Sequence, residues 1–231
     1  MRSFWLALGF LTTFPVPGLG QVKDGEMRSA SAFYPVAGYA IGGALALMAG
    51  LVHGLPHGLQ GALLLAVWLA LTGMLHLDGL LDSADALLAM KLPAERLRIL
   101  RDIHMGSFAF GVGFVALLLK WQLLSNGLSL GFLLGLPAIV RFALLIPMNL
   151  YPAAREEGLG ARAREGRIGL ALLFALPAMG FFPLEALTVI ATMLLLAYWA
   201  SSRLGGGISG DVYGMLVELG EIAGLLVFAL R

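Results

Sequence analysis

Seven apolar stretches dominate this chain: Phe33–Val52, Leu59–Leu75, Ser107–Leu124, Leu128–Leu150, Ile168–Phe182, Leu184–Arg203 and Val212–Leu230. Each approaches the roughly 20 residues with which a helix crosses a hydrocarbon layer. Backbone polar groups in hydrocarbon must be satisfied within the segment, which leaves helices as the spanning form. Only 13% of the residues are charged and 59% are hydrophobic, with a mean hydropathy of +0.89. A soluble domain is about a quarter charged, so much of this surface must meet lipid. The 31 glycines suit helices that pack closely in a membrane. The predicted fold is all-α: a polytopic integral membrane helical bundle of about seven spans, with residues 1–231 as a single transmembrane domain. Ser3–Phe14 is too short to span and is expected to lie in the interface or to re-enter the bilayer.

Charge sorts the loops. Lys23 and Arg28 lie in one; Lys91, Arg96, Arg98 and Arg101 in the next; then Arg155, Arg162, Arg164 and Arg167, and finally Arg203. The alternate loops near Gly54–Gly58, Ser125–Gly127 and Phe182–Pro183 hold no Lys or Arg. The positive-inside rule puts the charged loops in the cytoplasm, which predicts a multi-pass protein of the cytoplasmic (inner) membrane whose active site faces the cytoplasm. Nearly all acids fall on that side too, Glu185 being the exception. A net charge of +1 gives no case for nucleic acid, and without cysteine there is no disulfide or thiolate chemistry. The N-terminal stretch runs into Thr-Phe-Pro-Val-Pro rather than a small-residue cleavage site, so no removed signal peptide is expected.

Against this background His76-Leu-Asp-Gly-Leu-Leu-Asp-Ser-Ala-Asp85 is conspicuous. On a helix Asp78, Asp82 and Asp85 fall within a roughly 60° arc. Three like charges on one face repel unless a cation lies among them, and oxygen ligands alone suit Mg²⁺ or Mn²⁺. The helix dipole accounts for an acid at Asp78 but fades before Asp82 and Asp85.

Two further charged groups stand out. Pro93 fits the first turn of a helix over Ala94–Ile103, on which Arg98, Arg101 and Asp102 are neighbours at i, i+3 and i+4. Arg101 there can clamp a phosphate, or the three can form surface ion pairs. His104 reads as a proton carrier or as a solvated loop residue. The last stretch opens with glycines, Ser209 and Asp211, which suit a helix cap and a close backbone approach to a ligand. Glu218 follows at i+7 from Asp211, with Glu221 beyond it, inside an apolar run. Acids at such depth are functional candidates. Arg141 lies mid-way in its own apolar run, and an Arg141–Glu218 pair between spans is the plainer alternative.

The ordered fragments carry a resemblance. Gly9-Phe-Leu-Thr-Thr-Phe-Pro-Val-Pro, Phe33-Tyr-Pro-Val-Ala-Gly, Thr72 to Asp85, Arg101-Asp-Ile-His-Met-Gly-Ser-Phe, Tyr151-Pro-Ala-Ala-Arg-Glu-Glu-Gly and Gly207 to Glu221 together resemble the cobalamin synthase (adenosylcobinamide-GDP ribazoletransferase) family. Two positions differ from the family pattern: Asp85-Ala86 where Asp-Gly is usual, and Asp102-Ile103-His104 where Asp-Ser-Arg is common. The resemblance implies a Mg²⁺-dependent membrane enzyme that joins adenosylcobinamide-GDP to alpha-ribazole, or its 5′-phosphate, and releases GMP. Its expected catalytic acids are Asp78, Asp82, Asp85 and Asp102, with Asp85 taking the hydroxyl proton. His76, Arg98, Arg101, Arg141, Arg155, Ser209 and Asp211 are the expected substrate contacts, and Asp78, Asp82, Asp85 and Glu218 the expected metal ligands. The lipid bilayer is a partner, and a homo-oligomer is compatible with the pattern.

Two other readings stay open. A CDP-alcohol-type phosphotransferase also uses aspartates on membrane helices, but its Ala-Arg after Asp-Gly is replaced here by Asp82-Ser83. An ion-coupled transporter would favour inverted repeats and acids near mid-span.

Overall fold

A computed structural model describes residues 1–23, 25–154, 163–164 and 166–231. Helices α1 (Arg2–Leu11) and α2 (Glu26–Ala30) lead through a short 3₁₀ turn into α3 (Tyr34–Val52). There follow α4 (His57–Thr72), α5 (Leu75–Leu88), α6 (Pro93–Ile99), α7 (Ser107–Leu124), α8 (Leu130–Leu150), α9 (Ile168–Phe181), α10 (Pro183–Leu204) and α11 (Gly210–Ala229). No strand occurs among the described residues; a parallel bridge joins Ala153 to Ile208 beneath the start of α11.

All seven apolar stretches are helices, with ends close to those expected. Five helical runs are long and apolar enough to cross a membrane: Glu26–Val52, α7, α8, α10 and α11. A sixth arises if α4 and α5, bent by 89° at their junction, are one broken span. Helix α9, with 14 residues, reaches only about 21 Å at 1.5 Å per residue, short of the ~30 Å layer. Helix α1, with 10 residues, is also too short to cross; it buries Leu6, Ala7, Leu8 and Leu11 against the bundle.

Helix α8 is central, with Phe132, Leu133 and every residue from Gly135 to Leu145 buried. Helix α3 lies against it at two glycines: a Cβ on Gly38 would stand 2.5 Å from the Pro137 carbonyl oxygen, and one on Gly42 would overlap that of Leu134. Small residues of this kind let membrane helices touch through their backbones. The buried apolar side chains, from Leu6 to Leu225, form one continuous cluster. On the side of the Phe182 connection, Glu185 is buried and accepts a hydrogen bond from Arg231 at 2.8 Å.

The second apolar stretch, Leu59–Leu75, ends in a corner that its hydropathy does not show. Helix α4 stops at Thr72, Gly73 and Met74 adopt φ of 57° and 58°, and the chain turns sharply into α5. Thr13 holds the end of α4, its N–H donating to the Leu71 carbonyl at 2.8 Å and its hydroxyl to that of Ala70 at 2.9 Å. Helix α5 then lies inside the bundle, burying His76, Leu80, Ser83 and Leu87 against α7 and α11.

Candidate active site

The buried stripe of α5 leaves Asp78, Asp82 and Asp85 on its other side, Asp78 exposed and the other two half-buried. The common face expected from their spacing is therefore present, but its members do different things. The Asp85 carboxylate accepts the Gly106 N–H at 2.6 Å and the Ala109 N–H at 2.9 Å. It is the N-terminal cap of α7, supplied from a different helix. That employment stands where a general base and third metal ligand were expected.

Helix α11 meets α5 at a glycine crossing. A Cβ on Gly79 would lie 2.6 Å from the Asp211 carbonyl oxygen, and one on Gly214 would lie 2.9 Å from that of His76. The contact brings the first turn of α11 beside the acids of α5. Ser209 caps α11, accepting the Val212 N–H at 3.4 Å, and its hydroxyl donates to Asp211 Oδ2 at 3.2 Å. Asp78 and Asp82 on α5 and Asp211 on α11 thus share one end of the bundle.

The third edge is α6. Pro93 opens it as expected, but the helix ends at Ile99, so Arg101 and Asp102 lie in the exposed connection that follows rather than on the helix with Arg98. Asp102 pairs with His104 instead of with either arginine: its Oδ1 accepts from His104 Nδ1 at 2.7 Å and from the His104 N–H at 3.1 Å. These two hydrogen bonds hold the Asp102 carboxyl below the usual carboxylate range. Arg98 and Arg101 are exposed. Arg96 is buried and donates to the carbonyls of Lys91 at 2.8 Å and Leu87 at 3.3 Å, closing the end of α5. Arg155 and Arg162 lie outside the described residues.

Deeper in the bundle the buried charges pair otherwise than expected. Glu218 does not join the aspartates, nor does it pair with Arg141. It accepts from Lys120 Nζ at 2.8 Å, Lys120 also donates to Glu221, and Glu221 accepts from Arg141. All four side chains are almost wholly buried. Arg141 is 0% exposed, so it is sealed from any ligand at the bundle end. His76, an expected substrate contact, is also buried, and its Nδ1 has no hydrogen-bond partner among the described residues. Lys120, whose ammonium lies 4.3 Å from the centre of the Trp68 ring, was hidden because a lone cation barely alters the hydropathy of α7. Its sequence signal is a charge at a depth where charges are costly.

Among the described residues no three acids or histidines are placed to hold a metal. Asp78, exposed, and Asp82, half-buried, lie one helical turn apart on α5. Mg²⁺ is commonly held by one or two carboxylates, with waters and substrate phosphates completing its shell. Two carboxylates one helical turn apart fit that habit; a closed protein cage is absent among the described residues.

The family model described as cobalamin-5-phosphate synthase matches residues 3–229. Several relatives carry the name adenosylcobinamide-GDP ribazoletransferase. That of Deinococcus radiodurans is 52% identical over 96% of this chain and 83% of its own. Those of Desulfitobacterium hafniense and Pseudomonas entomophila are 39% and 38% identical, covering 98% and 100% of this chain and 96% and 99% of their own. No solved structure matches.

Proposed function

From the premise that this chain belongs to the cobalamin-5-phosphate synthase family, we infer that it is an adenosylcobinamide-GDP ribazoletransferase acting at the final stage of cobalamin assembly. The observation that carries this reading is the pair Asp78 and Asp82, one helical turn apart on α5 and across a glycine crossing from the first turn of α11, in a membrane bundle that the family model matches over residues 3–229. The CDP-alcohol and transporter readings are not retained.

In this reaction a ribose hydroxyl of alpha-ribazole, or of its 5′-phosphate, attacks the phosphorus next to the cobinamide arm. The new P–O bond forms as the bond to the GMP oxygen breaks, and the hydroxyl proton must leave. Positioning and neutralisation of charge are the protein's contributions to such a transfer. Asp78 and Asp82 would hold Mg²⁺, which when bound offsets the negative charge that grows on the departing nucleotide. Arg98 and Arg101, exposed at the adjoining edge, supply cations for phosphate oxygens, and Arg101 can hold two at once. Asp211, across the glycine crossing from Asp78 and Asp82 and oriented by the Ser209 hydroxyl, takes the hydroxyl proton, whereas both oxygens of Asp85 accept backbone N–H groups at the start of α7.

The protein lies in the cytoplasmic membrane with this end in the cytoplasm. Lys91, Arg98, Arg101 and Arg203 gather there, and the connections after α3 and α7 hold no Lys or Arg. The reading is tested by giving purified protein both substrates with Mg²⁺. It requires a corrinoid carrying the ribazole base and an equal amount of GMP; hydrolysis of adenosylcobinamide-GDP without transfer would refute it.

A further inference from the structure

Helices α5, α7 and α11 are joined pairwise by three unlike devices. Asp85 of α5 caps α7 through Gly106 and Ala109. Gly79 of α5 and Gly214 of α11 touch through their backbones. Lys120 of α7 closes the triangle, donating to both Glu218 and Glu221 of α11, while Arg141 of α8 holds Glu221 from behind. Two cations and two carboxylates balance within this buried group. Packing alone could join α7 to α11 more cheaply, since exchanging a buried ionic cluster for apolar side chains is often neutral or stabilising. What the ionic group adds is direction: an ammonium bonded to carboxylates one helical turn apart fixes how α11 is rotated and how far it has slid along α7. Apolar contacts specify neither so sharply.

We propose that Lys120 is a positioning residue for the transfer, setting the rotation and register of α11 so that Asp211 stands opposite Asp78 and Asp82. The proposal rests on the functional reading given above. Lys120 touches no substrate; it acts through α11.

The test is the fourfold exchange Lys120→Met, Arg141→Met, Glu218→Leu and Glu221→Leu, which removes every charge of the group together. The variant is expected to melt no lower than wild type, yet to lose at least tenfold in kcat per folded protein, with KM for both substrates within threefold. A distance measurement independent of activity accompanies it. The chain has no cysteine, so spin labels go to Leu88→Cys and Gly210→Cys, both exposed, at the ends of α5 and α11 that face the site. The distance distribution is expected to be narrow in the otherwise native protein and broad in the exchanged one. A stable variant with native kcat, or an unchanged distribution, overturns the proposal. Should the fourfold variant fail to insert, Lys120→Arg and Lys120→Gln replace it. Arg keeps the charge and should retain at least half of kcat, Gln should lose tenfold, and equal turnover in the two overturns the proposal. A native protein that makes no GMP overturns the functional reading instead, and the label distances still decide whether the charges orient α11.

Discussion

Gly79 of α5 and Gly214 of α11 meet without side chains between them: a Cβ on either would stand 3.0 Å from the other's Cα. The approach places Asp78 and Asp82 beside Asp211, so it sets the width of the site. Gly79→Ala should push the helices apart, with overpacking costing about 1–3 kcal/mol. Turnover should fall by more than stability does, since the acids separate while most of the bundle persists. Thermal melting in detergent read beside GMP release checks this; native turnover in Gly79→Ala would show that the crossing does not set the site.

Asp85 is expected to behave as a cap. Asp85→Ala leaves the Gly106 and Ala109 amides without their acceptor and should cost about 1–2 kcal/mol of stability. The Mg²⁺ concentration giving half-maximal rate should stay the same. If it rises tenfold with melting unchanged, Asp85 belongs with the metal ligands after all.

For Asp102 the sign of the pH effect is set by its contact with His104. Its carboxyl titrates below the ordinary 3.8, so the contact contributes above that value and is lost as pH falls through the lowered one. Across the range from about pH 5 to pH 9 Asp102 stays ionised and should produce no step in GMP release. A step in that range that vanishes in Asp102→Asn would make Asp102 a proton carrier.

Much of this architecture is legible in the sequence because lipid imposes a strong pattern. The run Ser107–Leu124 is α7 to the residue, and α8, α9 and α10 lie within two residues of their runs. The corner at Gly73–Met74 is not legible. Hydropathy continues unbroken through Leu75, and Gly73 is the one residue there suited to a left-handed turn. The spacing of Asp78, Asp82 and Asp85 reveals their shared face, but not that Asp85 reaches an amide 21 residues on. Glu218 and Arg141 were legible as buried charges. Their partners were not, because Lys120 and Glu221 reach them from 98 and 80 residues away.

Topology can be read with single cysteines, since the chain has none of its own. Arg98→Cys, at an exposed position of α6, should react with impermeant reagents only from the cytoplasmic side, and Asn126→Cys, after α7, only from the opposite side. Arg96 is buried and unsuited to this probe. Reversed labelling would turn the bundle over and place the acids outside the cell.

A metal-assisted transfer on Asp78 and Asp82 is tested by the rate of GMP release from adenosylcobinamide-GDP and alpha-ribazole as Mg²⁺ is varied, in the native protein and in Asp82→Asn. No release is expected without Mg²⁺. Asp82→Asn should lose a hundredfold or more, about 3 kcal/mol of transition-state stabilisation, in a protein that melts as the native one does. Near-native release by Asp82→Asn at low Mg²⁺ would contradict it.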